Sequence, residues 1–388
     1  MNNNKITPAE APKCPHFKKC GGCRLQNMTY EKQLSYKQVR EIRLLGKYHH
    51  VSEIIGMDDP FHYRCKVQAA FGEHKGQIVS GVYQSSTHNI VPLDSCLIED
   101  EKADEIIVTV RKLLKSFKLR PFNENTMQGF LRHVLIRRGF ATGEIMVVLV
   151  TGPGEFRDSA KFVNALLGRH PGITTIVRNI NDRFTSLVLG EKSEVLFGSG
   201  YIEDVLCGCR FRISPKAFYQ VNPVQTEVLY RKALDFAGLN GTQTVIDAYC
   251  GTGTIGIIAA GKAKKVIGVE VNPDAVADAK VNAGLNGVDN IEFREDDAGK
   301  FMTKLAEGGK SADVVIMDPP RAGASLDFLR ALVTLAPQSI VYISCNPETL
   351  ARDLSFLTRK GYTVRRIQPV DMFPWTEHVE TVVLLSRA

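Results

Sequence analysis

The sequence predicts an α/β fold with a mostly parallel, doubly wound sheet in the carboxyl-terminal half, preceded by an α+β region. The chain of 388 residues exceeds one typical domain, and its 44% of hydrophobic residues is enough for packed cores. From Val245 onward, β-branched runs alternate with helical patterns, which is typical of a parallel sheet covered by helices. Residues 247–256 read Asp-Ala-Tyr-Cys-Gly-Thr-Gly-Thr-Ile-Gly, which predicts a strand end, a glycine turn and a helix start.

Composition narrows the class of protein. A formal net charge of +7 suits an anionic partner such as nucleic acid. No apolar run is long enough to span a bilayer, and residues 1–13 are polar without a signal-peptide core, so we expect a cytoplasmic monomer that binds no membrane. The nine cysteines argue against a disulfide framework in that compartment, and they indicate metal binding or catalysis where they cluster.

Three cysteines cluster near the amino terminus, in a segment with too few apolar residues to hold its own shape. Cys14, Cys20 and Cys23 alternate with Pro, Lys and Gly, and such thiolates suit either tetrahedral zinc or an iron–sulfur cluster. Either group needs a fourth ligand. Cys96 follows a turn-rich stretch and is the best candidate, while His16 is the alternative for zinc.

A helix and an α+β domain are predicted between these cysteines and the parallel sheet. Residues 28–48 have the spacing of an amphipathic helix, which we expect to pack on a neighbouring domain. Its apolar positions are Leu34, Val39, Ile42 and Leu45. Short connections among the strands that follow predict an antiparallel sheet. Basic residues on those strands indicate a phosphate-binding surface, made of Arg64, Lys66, Arg132, Arg137 and Arg138.

Seven strands are predicted in the carboxyl-terminal half, at residues 245–248, 266–271, 291–294, 313–317, 340–344, 363–370 and 379–385. The last two are joined by too few residues for a crossover helix, so they must pair antiparallel. Asp247 ends the first strand and Glu270 the second, where a carboxylate accepts hydrogen bonds from ribose hydroxyls. Two carboxylates repel a pyrophosphate but favour a cationic amino group and a sulfonium, so S-adenosylmethionine fits this edge better than NAD.

Three further segments end at the same edge of the sheet. In Asp318-Pro-Pro-Arg321, after the fourth strand, the prolines fix the backbone and leave carbonyls and a carboxylate to face a flat ligand. Cys345 ends the fifth strand, and we expect the N-terminus of the next helix to lower the pKa of its thiol. Glu380 lies in the apolar last strand, two residues after His378, where a carboxylate needs a task or a partner.

A thiol and a carboxylate at one cleft suit methylation of a uracil ring at carbon 5. Carbon 5 is a poor nucleophile, but addition of a thiolate at carbon 6 makes it enolate-like, so that it can take a methyl group from a sulfonium. A base must then remove the proton from carbon 5 before the thiol can leave. Cys345 and Glu380 suit these two roles.

Five segments together resemble the RNA uracil-5-methyltransferase family, and more particularly its iron–sulfur-containing 23S ribosomal RNA branch. They are Ser214-Pro-Lys-Ala-Phe-Tyr-Gln-Val-Asn222, residues 247–256, Asp318-Pro-Pro-Arg321, Ser344-Cys-Asn-Pro347 and His378-Val-Glu-Thr381. The resemblance implies a Rossmann-like class I methyltransferase domain in which Cys345 is the nucleophile and Glu380 the proton acceptor. It also implies a set of residues that contact or border S-adenosyl-L-methionine, namely Gln220, Tyr249, Gly251, Thr254, Glu270, Asp297 and Asp318.

The same resemblance implies a metal cofactor and a substrate. Cys14, Cys20, Cys23 and Cys96 then hold a [4Fe-4S] cluster, and a flipped uridine of ribosomal RNA stacks on Phe218. The chain divides into a cluster segment at 1–24, a helix at 25–55 that packs on the methyltransferase domain, a central RNA-binding domain at 56–212 and the methyltransferase domain at 213–388. Many family members begin with a small RNA-binding β-barrel, for which the early cysteines leave no room here, so RNA binding is expected to rest on the central domain.

Other functions stay open at this point. Methylation of uracil in transfer RNA uses the same catalytic pair, and the cluster is what favours ribosomal RNA. Cytosine-5 methyltransferases resemble one another in carrying a cysteine beside the proline of the fourth-strand turn, where this chain has Pro320-Arg321. A non-catalytic iron–sulfur protein that binds RNA would leave Cys345 and Glu380 without a role.

Overall fold

A computed structural model of the chain describes residues 13–85, 87, 89–124, 126–185 and 187–387. The first twelve residues of the predicted cluster segment therefore lie outside the described residues. The chain begins with a helical turn, α1 (Phe17–Cys20), and a 16-residue helix, α2 (Tyr30–Leu45), which Thr29 caps through its side chain. Within the described ranges, no helix is long and apolar enough to cross a membrane.

Seven strands form the sheet of the central domain: β1 (Lys66–His74), β2 (Gln77–Tyr83), β3 (Ile90–Pro92), β4 (Leu131–Arg138), β5 (Ile145–Thr151), β6 (Ile173–Ile180) and β7 (Lys192–Phe197). Their order is β3-β2-β1-β4-β5-β6-β7. Neighbours pair antiparallel, except that β5 and β6 are parallel, which corrects the expectation of an antiparallel sheet. The reason is α4 (Ser159–Leu167), which carries the chain back to the starting end of the sheet between these two strands.

The central sheet is covered on both faces. On one face, Leu114 of α3 (Glu101–Ser116) and Phe162 of α4 belong to one hydrophobic core with Val147 of β5. On the other face, Val148 of β5 joins a core that includes a hairpin, β8 (Ile202–Leu206) and β9 (Cys209–Ile213), and the carboxyl-terminal domain. The two domains therefore share a hydrophobic core.

The carboxyl-terminal domain has the seven strands that the sequence predicts: β10 (Thr244–Ala248), β11 (Lys265–Glu270), β12 (Ile291–Glu295), β13 (Val314–Met317), β14 (Ser339–Ser344), β15 (Tyr362–Val370) and β16 (Glu380–Arg387). Their order is β12-β11-β10-β13-β14-β16-β15, and only β16 runs antiparallel to its neighbours, as expected. The helices are α5 (Pro223–Ala237), α6 (Thr254–Ala260), α7 (Pro273–Leu285), α8 (Ala298–Glu307), α9 (Leu326–Leu335) and α10 (Pro347–Thr358). The strand order reverses between β10 and β13, which is where ligands bind in sheets of this kind.

The buried face of α2 matches the predicted apolar face only in part, because Leu45 is buried and Leu34 half-buried while Val39 and Ile42 are exposed. The helix buries Gln33, Lys37, Glu41 and Leu45, one residue per turn. Val39 is 65% exposed and Ile42 is 49% exposed. The orientation of α2 follows from hydrogen bonds that its polar side chains make with the loop between β15 and β16. These partners lie more than 300 positions away in the sequence, so the local pattern could not reveal them.

Candidate active site

The glycine turn after β10 holds a strained backbone. Tyr249 has a φ of 64°, and Gly251 and Gly253 have φ of 53° and 81°. The left-handed conformation is costly for tyrosine, so the surrounding structure must hold it in place. A Cβ atom at Gly253 would lie 2.9 Å from the ring of Phe293, so only glycine fits there. The turn lets the backbone pass close to whatever occupies the neighbouring cleft.

Five of the residues assigned to the cofactor by the resemblance line one cleft beside this turn; they are Gln220, Tyr249, Gly251, Thr254 and Asp318. The cleft lies where β10 and β13 end. These five residues therefore share one cleft, built from the turn, the segment before α5 and the Asp-Pro-Pro turn.

Tyr230 of α5 is a residue of this cleft that sequence reasoning missed. Its phenol is buried and lies close to the side chains of Thr254 and Gln220. It therefore packs beside two cleft residues that the resemblance assigned to the cofactor. In the sequence, Tyr230 is an aromatic residue at a core position of a helix, and that pattern gives no signal of a role in a site.

Glu270 and Asp297 lie beside the same turn. The Glu270 carboxylate accepts hydrogen bonds from the backbone N–H of Gly251 at 3.1 Å and of Asn272 at 2.9 Å. Asp297 caps α8 by accepting from the backbone N–H of Lys300 at 2.9 Å. It is close enough to Tyr249 for its charge to add to the effect of burial in raising the pKa of that phenol.

Burial makes the carboxyl groups of the cleft weak acids. The pKa of Asp247 is raised to about 7, first by burial and then by the nearby Asp318 and Glu270 carboxylates. Asp247 nevertheless accepts a hydrogen bond from the backbone N–H of Gly256 at 2.8 Å, which ties it to the start of α6. Burial also raises the pKa of Asp318 to about 7. A cation in the cleft would favour the ionised form of both groups.

Cys345 directly follows β14, and Glu380 is the first residue of the neighbouring strand β16. Ser344 pairs with Thr381 in the antiparallel register, so Cys345 and Glu380 lie opposite each other one step beyond the last pair, close enough for the Glu380 charge to act on the thiol. Side chains at such positions lie about 5 Å apart at their Cβ atoms. Glu380 is 4% exposed, and its pKa is raised well above its usual value by burial first and then by Asp318. The fold brings together the two residues that the sequence proposed as a catalytic pair.

The expectation that a helix N-terminus lowers the pKa of Cys345 is wrong for the ligand-free protein. The pKa of this thiol is raised to about 11, first by burial and then by the Glu380 and Asp318 carboxylates. The guanidinium of Arg321 opposes these effects without offsetting them. Sequence reasoning counted the helix dipole but could not count burial or the two carboxylates.

The Asp-Pro-Pro-Arg turn is held against the start of α10. The carbonyl of Arg321 accepts hydrogen bonds from Asn346 Nδ2 at 3.1 Å and from Thr349 Oγ1 at 3.4 Å. Asn346 also caps α10 by accepting from the backbone N–H of Glu348 at 3.1 Å. These contacts fix Asp318 relative to Cys345, because each turn is hydrogen-bonded to the other.

Two of the five basic residues predicted as a phosphate-binding surface are buried and a third is held in an ion pair, which corrects that expectation in part. Arg132 is 3% exposed and donates to the carbonyls of Asn181 and Arg183, both at 3.0 Å. Arg137 is 4% exposed and donates to the carbonyl of Ala217. Arg138 pairs with Asp100 at 2.5 Å.

Arg64 and Lys66 are the two of these residues left beside the site. Both are half-buried. The backbone N–H of Cys65, between them, donates to the carbonyl of Val221 at 2.8 Å, next to the cleft residue Gln220. The pKa of Lys66 is lowered to about 8 by burial first and then by the neighbouring cations Arg137 and Arg64.

Phe218 lies at the mouth of the cleft and is 68% exposed. Its backbone carbonyl accepts a hydrogen bond from Thr252 Oγ1 at 3.4 Å. The ring is therefore held at the cleft by its backbone while its faces stay open to solvent. An aromatic ring packed in an interface would be buried, so this exposure argues against a packing role.

The predicted cluster cysteines lie in two distant segments of the chain, which approach each other at Cys23 and Cys96. The pKa of Cys23 is raised to about 12 by burial first and then by Cys20 and Cys14. Cys96 is also close to Cys23, and both pack against a small core that contains Trp375. Among the described residues, no group of three or more His, Cys, Asp or Glu side chains is arranged to hold a metal ion.

Comparison with known proteins identifies relatives along nearly the whole chain. Uncharacterized RNA methyltransferases of Clostridium tetani and Halalkalibacterium halodurans are 44% and 45% identical to it. The alignments cover 99% and 97% of this chain and 85% and 83% of those proteins.

A solved structure has the same fold. The Pyrococcus abyssi tRNA (uracil-54, C5)-methyltransferase, in complex with S-adenosyl-L-homocysteine, superimposes with a TM-score of 0.80 at 30% identity, over 94% of this chain and 86% of that one. The model of the tRNA (uracil-5-)-methyltransferase family matches residues 186–388. The glycine turn borders the cleft, and Cys345 and Glu380 both lie close to the cleft residue Asp318. Together with this arrangement, the matches show that the chain belongs to the tRNA (uracil-5-)-methyltransferase family.

Proposed function

We propose that this protein transfers the methyl group of S-adenosyl-L-methionine to carbon 5 of a uridine in 23S ribosomal RNA. The observation that carries the proposal is the strand register that sets Cys345 across from Glu380, beside the cleft that contains Asp318. Membership of an RNA methyltransferase family supports RNA as the substrate class. The resemblance of the cysteine segment to the iron–sulfur branch supports ribosomal RNA.

Cys345 and Glu380 divide the chemistry between them. The Cys345 thiolate adds to carbon 6 of the uracil, and carbon 5 then takes the methyl group. Glu380 removes the proton from carbon 5, and the bond between sulfur and carbon 6 breaks to return the thiolate and the methylated base. The raised pKa of Glu380 suits this role, since it makes the ionised carboxylate a stronger base.

The cleft suits S-adenosyl-L-methionine, which supplies an electrophilic methyl group and positive charge. The buried carboxyls of Asp247 and Asp318 favour a cationic ligand, and Glu270 lies at the turn where a ribose is bound in folds of this type. Gln220, Thr254 and Tyr230 line the same cleft. A positive charge beside Asp318 also offsets one cause of the raised pKa of Cys345.

A [4Fe-4S] cluster fits the chemistry of the cysteine segment. The donor set is four thiols, Cys14, Cys20, Cys23 and Cys96, gathered beside an apolar core. In the part of the chain that the structure describes, no such side chains are arranged to hold a metal ion, so the cluster is proposed from the chemistry of the four thiols. When bound, the cluster would tie the segment before α2 to the residues before α3.

The RNA contacts are proposed for the exposed surface at the cleft. Phe218 stacks on the uracil after the nucleotide leaves its helix, because its ring is open to solvent and lines the cleft. Arg64 and Lys66 are cations next to the segment that carries Gln220, where they suit the phosphates of the flipped nucleotide.

The test is to map 5-methyluridine in ribosomal and transfer RNA from cells with and without this protein. Purified protein should then methylate the same site in a transcript when supplied with S-adenosyl-L-methionine. The Cys345→Ala variant serves as the control that still binds S-adenosyl-L-methionine but forms no product. A methyl group on any other atom, or on no RNA, would overturn the proposal.

Transfer RNA is the second candidate substrate. The observation in its favour is that the solved relative of similar fold is a tRNA (uracil-54, C5)-methyltransferase. The same mapping experiment separates the two substrates, since loss of 5-methyluridine from transfer RNA alone would select the second.

A further inference from the structure

Helix α2 forms hydrogen bonds at successive turns with the connection between β15 and β16. Lys37 Nζ donates to Asp371 Oδ1 at 2.5 Å and to the carbonyl of Phe373 at 3.1 Å. Gln33 Oε1 accepts from the backbone N–H of Trp375 at 2.7 Å. This connection leads directly into Glu380, so a helix from the other end of the chain sets where the catalytic strand begins.

Two further hydrogen bonds from α2 reach the end of the connection and β16 itself. Arg40 Nη1 donates to the carbonyl of Glu377 at 3.0 Å. Four residues further along the chain, in β16, Thr381 Oγ1 donates to Glu41 Oε2 at 2.9 Å. Successive residues of a strand point to opposite faces, so the Thr381 side chain faces α2 while the Glu380 side chain points to the other face of the sheet, close to Asp318. Glu41 therefore lies directly behind the proposed base.

The buried side chain of Glu41 lowers the stability of the folded protein. It is fully buried, and its second oxygen, Oε1, has no hydrogen-bond partner among the described residues. A buried carboxyl with an unpaired oxygen costs stability, and an apolar residue would pack there at less cost. Its position suggests a task connected with Glu380.

We propose that Glu41 is a positioning residue that holds β16 through Thr381 and raises the basicity of Glu380 by its charge. The proposal rests on the proposed function, because it concerns the removal of the carbon 5 proton. A negative charge behind Glu380 disfavours the ionised form of that carboxylate, so the base binds its proton more tightly. Without this charge, Glu380 would be a weaker base and would ionise at lower pH.

The charges around the two carboxyls agree with this direction. Asp318 and Glu41 both raise the pKa of Glu380 after the larger effect of burial, and Arg321 lowers it. Cys345 is the other titratable group that faces Glu380. Around Glu41 the charged groups are Arg40 on its own helix and Glu348 on α10, which form an ion pair with each other at 2.6 Å.

The titration of Glu41 itself sets the useful pH range. The pKa of Glu41 is raised to about 7 by burial first, against the hydrogen bond from Thr381. Glu41 is therefore charged above neutral pH, and its effect on Glu380 should be measured there.

The experiment compares the pH dependence of single-turnover methylation in three variants. Glu41→Gln removes the charge but keeps the shape and the acceptor for Thr381. The pH at which the single-turnover rate falls to half of its plateau on the acid side, here called the acid limb, should move down by about one unit. The plateau rate should fall, and KM for RNA should stay unchanged. Thr381→Val removes the hydrogen bond that favours charged Glu41, so its acid limb should move in the same direction by less.

Gln33→Leu is the matched control, because it removes an uncharged contact of the same helix with the same loop. It should lower the rate without moving the acid limb. The inference fails if Glu41→Gln keeps the wild-type profile, or if Gln33→Leu moves the profile equally. If the wild type forms no 5-methyluridine, the proposed function fails instead.

Discussion

At the scale of single residues, the site stands out for carboxyl groups that burial holds close to neutrality. Asp247 and Asp318 both have their pKa raised to about 7, and the pKa of Glu380 is raised as well. Three buried acids in one place are unstable as anions without a cation. The ligand-free cleft is thus prepared for a positively charged ligand, whose binding must release protons.

The affinity for S-adenosyl-L-methionine should therefore rise with pH through neutrality. Below about pH 7 the Asp247 and Asp318 carboxyls are protonated in the free protein, and ionising them costs binding energy. Each carboxyl that must ionise should weaken binding about tenfold at pH 6 relative to pH 8. Isothermal titration calorimetry in buffers of different ionisation enthalpy would measure both the affinity and the protons released.

S-adenosyl-L-homocysteine is the control ligand, because it lacks the sulfonium charge. Its affinity should depend less on pH than that of S-adenosyl-L-methionine. Equal affinities of S-adenosyl-L-methionine at pH 6 and pH 8 would show that these carboxyls are not neutral in the free protein, or do not face the ligand.

Replacing the proposed base should trap the reaction after methyl transfer. In Glu380→Gln, the amide keeps the shape of the side chain but cannot accept the carbon 5 proton, so Cys345 cannot leave. Loss of a positioned base slows such a step by about 10² to 10⁴. Denaturing electrophoresis should show a protein–RNA species that carries label from the methyl group.

The matched control for this trap is the double variant with Cys345→Ala, in which no adduct should form. Normal turnover of Glu380→Gln without an adduct would mean that water or another group removes the proton. Glu380 would then be a structural carboxyl, and the role of Glu41 behind it would need a different explanation.

At the scale of elements, the sequence predicts the strands well and the packing of α2 badly. The seven strands of the methyltransferase domain are runs of β-branched residues whose local pattern is sufficient. Helix α2 has apolar residues at Val39 and Ile42 that would fit a core, yet these are exposed. Its buried face is chosen by Asp371, Trp375 and Thr381, which lie at the other end of the chain.

The same limit applies to the site. Glycine spacing, the Asp-Pro-Pro turn and the position of Cys345 at a strand end are local features, so the sequence could assign them. The raised pKa of Cys345 comes from burial and from two carboxylates on other strands. The place of Tyr230 in the cleft depends on the packing of α5 on the sheet, which a helical pattern does not encode.

The buried ion pair between Lys37 of α2 and Asp371 should contribute little net stability. Removing one partner should therefore lower the free energy of unfolding much more than replacing both with apolar residues. Burial lowers the pKa of Lys37 and raises that of Asp371, each against the attraction of the partner, so desolvation outweighs the pairing. Lys37→Ala leaves a buried, unpaired carboxyl and should lower the free energy of unfolding by about 3–5 kcal/mol. Chemical denaturation would measure this loss.

The double variant Lys37→Met with Asp371→Leu is the comparison that isolates the pair. It should recover most of the lost free energy of unfolding, because two apolar side chains of similar size remove both buried charges. If the double variant is less stable than Lys37→Ala, the pair contributes more than desolvation costs, through its contacts with Tyr30 and the Phe373 carbonyl.

At the scale of the whole molecule, Trp375 connects the predicted cluster cysteines with the loop that leads into β16. Trp375 lies in the loop before Glu380, is buried, and packs against Tyr30 and Phe61 as well as the core beside Cys23 and Cys96. Its carbonyl accepts a hydrogen bond from the backbone N–H of Leu25 at 3.1 Å. A group bound by the cysteines would therefore stiffen the loop that delivers the proposed base.

The last prediction uses Trp375 as a probe, because it is the only tryptophan in the chain. Anaerobically purified protein should be brown, with iron and sulfide at about four per chain, and its tryptophan emission should be quenched. Removing the cluster, or replacing a proposed ligand in Cys23→Ser, should raise the emission and shift it to longer wavelength as the core around Trp375 loosens. Cys209→Ser, in the β8–β9 hairpin, is the matched control and should keep both iron and emission unchanged. Colourless protein with stoichiometric zinc would show that the cysteines bind a single zinc ion and not a cluster. Tryptophan emission that does not change when the metal is removed would show that the bound metal does not affect the loop around Trp375.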